Sequence, residues 1–251
     1  MQIIVLPSGR SAALATAQFL ARLLRAQRAS VLGLPTGRTM IPVYQALVSL
    51  HGRGRVDFAK ATTFNLDEFV GGGSAEEGSY RAFMRRYLFD AVNVSRRRTH
   101  FPGEQDSRSG TYDDMISAAG GLDLCLVGIG MNGHLGFNEP GSTLTPGTHR
   151  VRLMPATRRA NAYLFDGRIR DVPRVAHSMG IATILGARTI VLLATGAAKA
   201  SIVRRAVAGP VTTRVPASLI QTHPNALVVL DRAAARELGR HSARDGGLKR
   251  R

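Results

Sequence analysis

The stretch "GIGMNGHLGFNEPG" at 128–141 places His134 and Glu139 among Gly128, Gly130, Gly133, Gly136 and Gly141. No His or Cys partner stands at metal-ligand spacing, so the pattern does not call for zinc. An imidazole near a carboxylate suits proton transfer, because the carboxylate orients the ring and raises its basicity. Glycines let the backbone turn sharply and come close to a ligand. A turn-stabilising histidine and a glutamate capping a helix at Pro140 would fit the same spacing.

Two further sets of residues follow apolar runs. Asp67 and Glu68 come after "ATTFNL", and neighbouring strand residues point to opposite faces, so at most one aims into a given site. A carboxylate beside Phe64 and Leu66 suits a general base. Thr36-Gly37-Arg38-Thr39 follows "SVLGLP", and Thr195-Gly196 follows "TIVLLA" with Lys199 shortly after. Each is a strand–Thr-Gly–helix turn, where exposed helix-start amides and a hydroxyl form an anion cradle and a lysine adds a point charge. Neither turn fits a dinucleotide or Walker fingerprint, which disfavours a nucleotide. Ordinary capped turns remain the alternative for each. A phosphate cradle, a carboxylate base and a His–Glu pair make a metal-free kit for moving protons on a sugar phosphate.

The elements that must hold these residues are legible as alternation. Apolar runs at 2–7, 30–35, 61–69, 122–130, 189–195 and 225–230 read as strands. Helical patterns fall between them at 11–27, 39–51, 79–92, 109–119 and 196–207. Runs that do not alternate, such as "LDLCLVGI", suit strands covered on both faces. The expected fold is α/β, a Rossmann-like, doubly wound and mostly parallel sheet with helices on both faces. Ligands in such sheets sit beyond the carboxyl ends of the strands, where the residues above lie. The irregular segment 136–180 suits a lid or site loop. One domain is expected over 1–240, followed by a basic tail over 241–251.

Composition narrows the class. The chain has 251 residues, 44% of them hydrophobic, and a formal net charge of +17. Its lysines are only Lys60, Lys199 and Lys249, so the basicity is almost entirely arginine. Those arginines are scattered without aromatic interleaving or a helix-turn-helix pattern, so no nucleic-acid partner is expected. No apolar run approaches the ~20 residues of a membrane helix, and "MQIIVLPSGR" lacks the basic start of a signal peptide. The single Cys125, inside an apolar run, reads as a buried structural thiol. A cytoplasmic protein with a small anionic partner is expected, and a homo-oligomer is left open.

The pieces "LGLPTGRT", "TFNLDEFVG", "GSYRAFM", "LDLCLVGIGMNGHLGFNEPGS", "LLATGAAKA" and "VPASLIQTHPNALVV" resemble the glucosamine/galactosamine-6-phosphate isomerase (deaminase) family. They occur in family order across most of residues 1–231. The resemblance implies conversion of a 2-amino-2-deoxyhexose 6-phosphate into a ketohexose 6-phosphate and ammonia without a cofactor. It assigns C2–C1 proton transfer to Asp67 and ring opening to His134 assisted by Glu139, with Asn132 in their network. It matches Thr36, Gly37, Arg38, Thr39, Gly196 and Lys199 to the phosphate clamp. The chain departs from well-known members in two places. Asn132 stands where many carry aspartate, and Tyr163 stands where an arginine contacts phosphate, with Arg158 and Arg159 as candidates to replace it. Glucosamine is the expected sugar. Galactosamine, a 6-phosphogluconolactonase and a non-catalytic sugar-phosphate sensor are the alternatives.

Overall fold

The computed structural model describes residues 1–71, 78–103 and 111–239; the expected tail at 241–251 lies outside them. In chain order the strands and α-helices are β1 (Gln2–Leu6), α1 (Gly9–Ala26), β2 (Val31–Leu34), α2 (Ile41–Gly52), β3 (Thr62–Asn65), β4 (Asp67–Phe69) and α3 (Tyr80–Tyr87). They continue with β5 (Thr99–His100), α4 (Tyr112–Ala118), β6 (Leu124–Val127), β7 (His149–Arg152), α5 (Pro155–Asn161) and β8 (Val175–Ser178). The chain then runs through α6 (Ile181–Leu185), β9 (Ile190–Ala194), α7 (Ala200–Ala208) and β10 (Ala226–Asp231). Seven strands form one sheet in the order β1-β10-β9-β6-β2-β3-β5, with every pairing parallel.

The apolar runs have the two-sided burial expected of such a sheet. In β9, Leu192 enters one core with α4, α6 and α7, while Val191 and Leu193 enter the opposite core with α1, α2 and α3. Each such side chain contributes roughly 1.5–3 kcal/mol on burial. Helix α1 shows how local sequence suits this packing. Ser8 caps it by accepting from the Ser11 amide, and Ala13, Ala17, Leu20 and Leu24 bury one face at helical spacing. Helix α4 carries a capping box between Thr111 and Asp114. Cys125 is fully buried, which pushes its thiol up to about 12, and so it is a core residue without nucleophilic character.

Strand order reverses where β6 inserts beside β2. The chain has built β2, β3 and β5 outward on one side, and from β6 it continues through β9 and β10 on the other. The carboxyl ends of β9, β6, β2 and β3 are therefore neighbours, and a doubly wound sheet opens its ligand crevice there.

Two differences from the sequence-based expectation matter for the site. The run 61–69 is two strands. At Leu66 the chain leaves the large sheet, where the Leu66 amide still donates to Leu34, and β4 pairs antiparallel with β8. The irregular segment 136–180 contains β7 and β8, which complete a three-stranded antiparallel sheet in the order β4-β8-β7. A small core of Phe69, Tyr80, Phe137, Leu153, Ala162, Val172 and Ala176 lies beneath it. This second sheet was not expected, since "HRVR" carries too little apolar content to read as a strand.

Candidate active site

The turn after β6 is pinned despite its glycines. The Gly130 amide donates to the His134 carbonyl, and the Asn138 side-chain amide donates to the Leu135 and Met179 carbonyls at 2.8 Å each. Two glycines there have spatial reasons. A Cβ on Gly130 would lie 2.3 Å from the His134 ring, so the imidazole packs directly on bare backbone. Gly136 has φ +56°, and a Cβ there would lie 3.1 Å from Ser178 Oγ and 3.6 Å from Asp67 Oδ2.

His134 and Glu139 meet, with Nδ1 3.4 Å from Oε2. Nδ1 is buried and makes no hydrogen bond among the described residues, so the two side chains are apposed without a formed hydrogen bond, and His134 also lines the cavity. Asn132 couples the two residues. Its carbonyl oxygen accepts from the His134 amide at 3.3 Å, and its NH2 group donates to Glu139 Oε2 at 2.6 Å. An aspartate at 132 would lack that donor, so the neutral side chain serves the pair here. The Thr157 hydroxyl donates to Glu139 Oε1. Burial pushes the Glu139 carboxyl up, but the contact with His134 and the Thr157 and Asn132 hydrogen bonds outweigh it and hold the group below its ordinary value.

Asp67 and Glu68 separate as strand neighbours should. Glu68 turns away and caps α3, accepting from the amides of Tyr80 at 2.9 Å and Arg81 at 2.8 Å. Asp67 lines the cavity. It is not at a loose strand end, being 7% exposed within β4, with Oδ1 buried and unpartnered among the described residues. Burial, then the nearby Glu68 charge, pushes Asp67 up to about 8.

The cavity is ≈ 490 Å³ and takes its walls from the segments that follow β2, β3 and β6, with Lys199 from beyond β9. Thr36, Gly37, Arg38 and Thr39 line one rim, and none of the described residues takes the amides of Gly37, Arg38 or Thr39. Gly37 reaches this open turn with φ +109°. Lys199 lines the same cavity; its Nζ donates to the Ile129 carbonyl at 2.6 Å, and burial lowers its pKa. Gly196 does not line it. Its amide is held by the Asp231 carboxylate at 3.0 and 3.1 Å, so this second turn orients Lys199 and offers no cradle of its own.

A further wall comes from the segment 136–180 that suited a lid or site loop, although no helix was expected within it. The face of α5 bearing Ala156, Thr157, Ala160 and Asn161 closes over the cavity. Tyr163, in the short 3-10 turn that follows, packs its ring 4.2 Å from the Arg38 guanidinium carbon. Of the two arginines weighed beside it, Arg159 lines the cavity, while Arg158 is spent on the carbonyls of Val172 and Ile169. No sequence pattern marks Thr157 or Tyr80, since single residues in mixed segments carry no periodic signal.

Comparison with known proteins agrees with this architecture. The family model of glucosamine-6-phosphate isomerases/6-phosphogluconolactonase matches residues 8–229. A glucosamine-6-phosphate deaminase of Rhodopirellula baltica is 48% identical over 239 residues, covering 94% of this chain and 95% of that protein. Glucosamine-6-phosphate deaminase 2 of Bacillus subtilis is 43% identical over 220 residues, covering 86% and 88%. The solved structure of a monomeric glucosamine-6-phosphate deaminase superposes with a TM-score of 0.89 at 35% identity, covering 94% of this chain and 100% of that one.

Proposed function

The chain belongs to the glucosamine-6-phosphate isomerase/6-phosphogluconolactonase family, and from that premise we propose that it is a glucosamine-6-phosphate deaminase. The reaction takes glucosamine 6-phosphate and water to fructose 6-phosphate and ammonia. The observation that carries this reading is one cavity lined by a buried carboxylate, a His–Glu pair and a cationic, amide-rich rim.

His134 opens the pyranose by moving a proton between the C1 hydroxyl and the ring oxygen, with Glu139 stabilising the charged imidazole. Opening exposes a C1 carbonyl, which acidifies the C2 hydrogen and serves as the electron sink, so the chemistry calls for no cofactor. Asp67 takes the C2 proton as carboxylate and returns a proton to C1, while the C1 oxygen gains the proton that the amine gives up. The electron pair shifts to leave an imine at C2, which water hydrolyses to the ketone with loss of ammonia. Thr36, Gly37, Arg38, Thr39 and Lys199 hold the phosphate. Gly196 contributes through the placement of Lys199. No described helix is long and apolar enough to cross a membrane, and a phosphorylated substrate with a lone buried thiol supports a cytoplasmic enzyme.

The proposal is tested by ammonia release from glucosamine 6-phosphate as a function of pH. Asp67 must be ionised to act, and its carboxyl is pushed up to about 8. The kcat/KM value should therefore climb through neutrality towards that value. Absence of ammonia at every pH, or a rate already flat through neutrality, contradicts the assignment.

Lys199→Ala should raise KM about ten- to a hundredfold, the worth of one charge-assisted contact, with a much smaller effect on kcat. The phosphate is remote from C1 and C2, so it is held alike in ground and transition states. Steady-state kinetics with the phosphorylated sugar checks this. An unchanged KM removes Lys199 from the clamp.

A further inference from the structure

The Glu139 carboxylate is held from two sides by different parts of the fold. Oε2, the oxygen beside His134, accepts from Asn132 within the same turn. Oε1 accepts from Thr157, which arrives on α5 from the segment closing the cavity. Thr157 is 3% exposed, although the segment around it is polar and largely solvent-facing. Its β-branched side chain has few rotamers in a helix, so the helix position sets the direction of the hydroxyl. One turn later Asn161 accepts from the Tyr80 hydroxyl at 3.0 Å, and beyond it Phe165 packs 5.7 Å from Phe69. The covering helix therefore docks through two polar points and an aromatic one, and the first of these is the carboxylate that orients the imidazole.

We propose that Thr157 is a positioning residue for the reaction: from α5 it fixes the plane of the Glu139 carboxylate, so that the His134–Glu139 pair is complete only when α5 lies over the cavity. The inference rests on the assignment of that pair to ring opening. Without Thr157 the carboxylate keeps only the Asn132 hydrogen bond on Oε2, and its plane can turn about that single point. Thr157 thereby ties the geometry of the acid–base pair to the seating of α5. His134 is the titratable group that faces Glu139. The Thr157 hydrogen bond favours the ionised form of Glu139, so its loss moves Glu139 protonation to higher pH.

The test compares Thr157→Val, which keeps shape and loses the hydroxyl, with Thr157→Ser, which keeps the hydroxyl. In steady-state kinetics Thr157→Val should lower kcat about ten- to a hundredfold with KM little changed. The acidic limb of the rate profile belongs to Asp67 and should stay in place, and Thr157→Ser should restore kcat. In full-length protein carrying 13C-labelled glutamate, the carboxyl resonance missing from Glu139→Gln should titrate at higher pH in Thr157→Val. Unchanged kcat, or a fall in kcat and Tm with an unmoved Glu139 resonance, overturns the proposal. The resonance is read without turnover. A wild-type chain that releases no ammonia therefore rejects the deaminase reading, while the titration still decides whether Thr157 controls Glu139.

Discussion

Asp67→Asn is expected to lower the rate of ammonia release by ~10²–10⁴, the usual cost of removing a general base. The amide cannot accept the C2 proton, yet it matches the carboxyl in size. Stability should hold for a reason visible only in the structure. Asp67 is buried within β4 and pushed up to about 8, so near neutrality the native site already favours an uncharged group. Phosphate and ring contacts come from other residues, so substrate affinity should change little. Exchange of the C2 hydrogen with deuterated solvent should disappear with turnover. Retained exchange in the variant rejects Asp67 as the base. Glu68 is then no substitute, because its carboxylate is committed to the first amides of α3.

His134→Gln should cost about as much, ~10²–10⁴, but at an earlier step. Ring opening is what interconverts the α and β anomers of the sugar. The Asp67 variant should therefore still accelerate anomer exchange, measured by NMR, whereas the His134 variant should not. Deamination and C2 exchange should fall together in the His134 variant, since both need the open chain. Accelerated anomer exchange by His134→Gln would assign ring opening to another group.

Much of this site was legible because catalytic residues in a doubly wound sheet must follow its strands. The two-sided burial of β6 and β9 leaves unbroken apolar runs, and those runs point to Thr36, Asp67, His134 and Lys199 without any knowledge of contacts. What stayed hidden depends on partners distant in sequence. The chain bends out of the sheet at Leu66 because β8, more than a hundred residues later, offers β4 an antiparallel partner. Gly196 looks like half of an anion cradle until Asp231 on β10 takes its amide. The glycine-rich turn looks loose until Asn138 and Ser178 are seen to fasten it. Thr157 is one threonine in "MPATRRAN", and only the docking of α5 gives it a role. The departure at Asn132 becomes intelligible in the same way, since its amide donates to Glu139, which an aspartate could not do.

The central claim is that an amino sugar phosphate is deaminated through proton transfer from C2 to C1, and the product of wild-type turnover tests it most directly. Glucosamine 6-phosphate, with galactosamine 6-phosphate and 6-phosphogluconolactone alongside, is incubated in deuterated buffer and the products are identified by NMR. The account predicts equal amounts of ammonia and fructose 6-phosphate, the ketose carrying at C1 a hydrogen from C2 or a deuterium from solvent. Ammonia accompanied by an aldose, or hydrolysis of the lactone with neither amino sugar consumed, would contradict it.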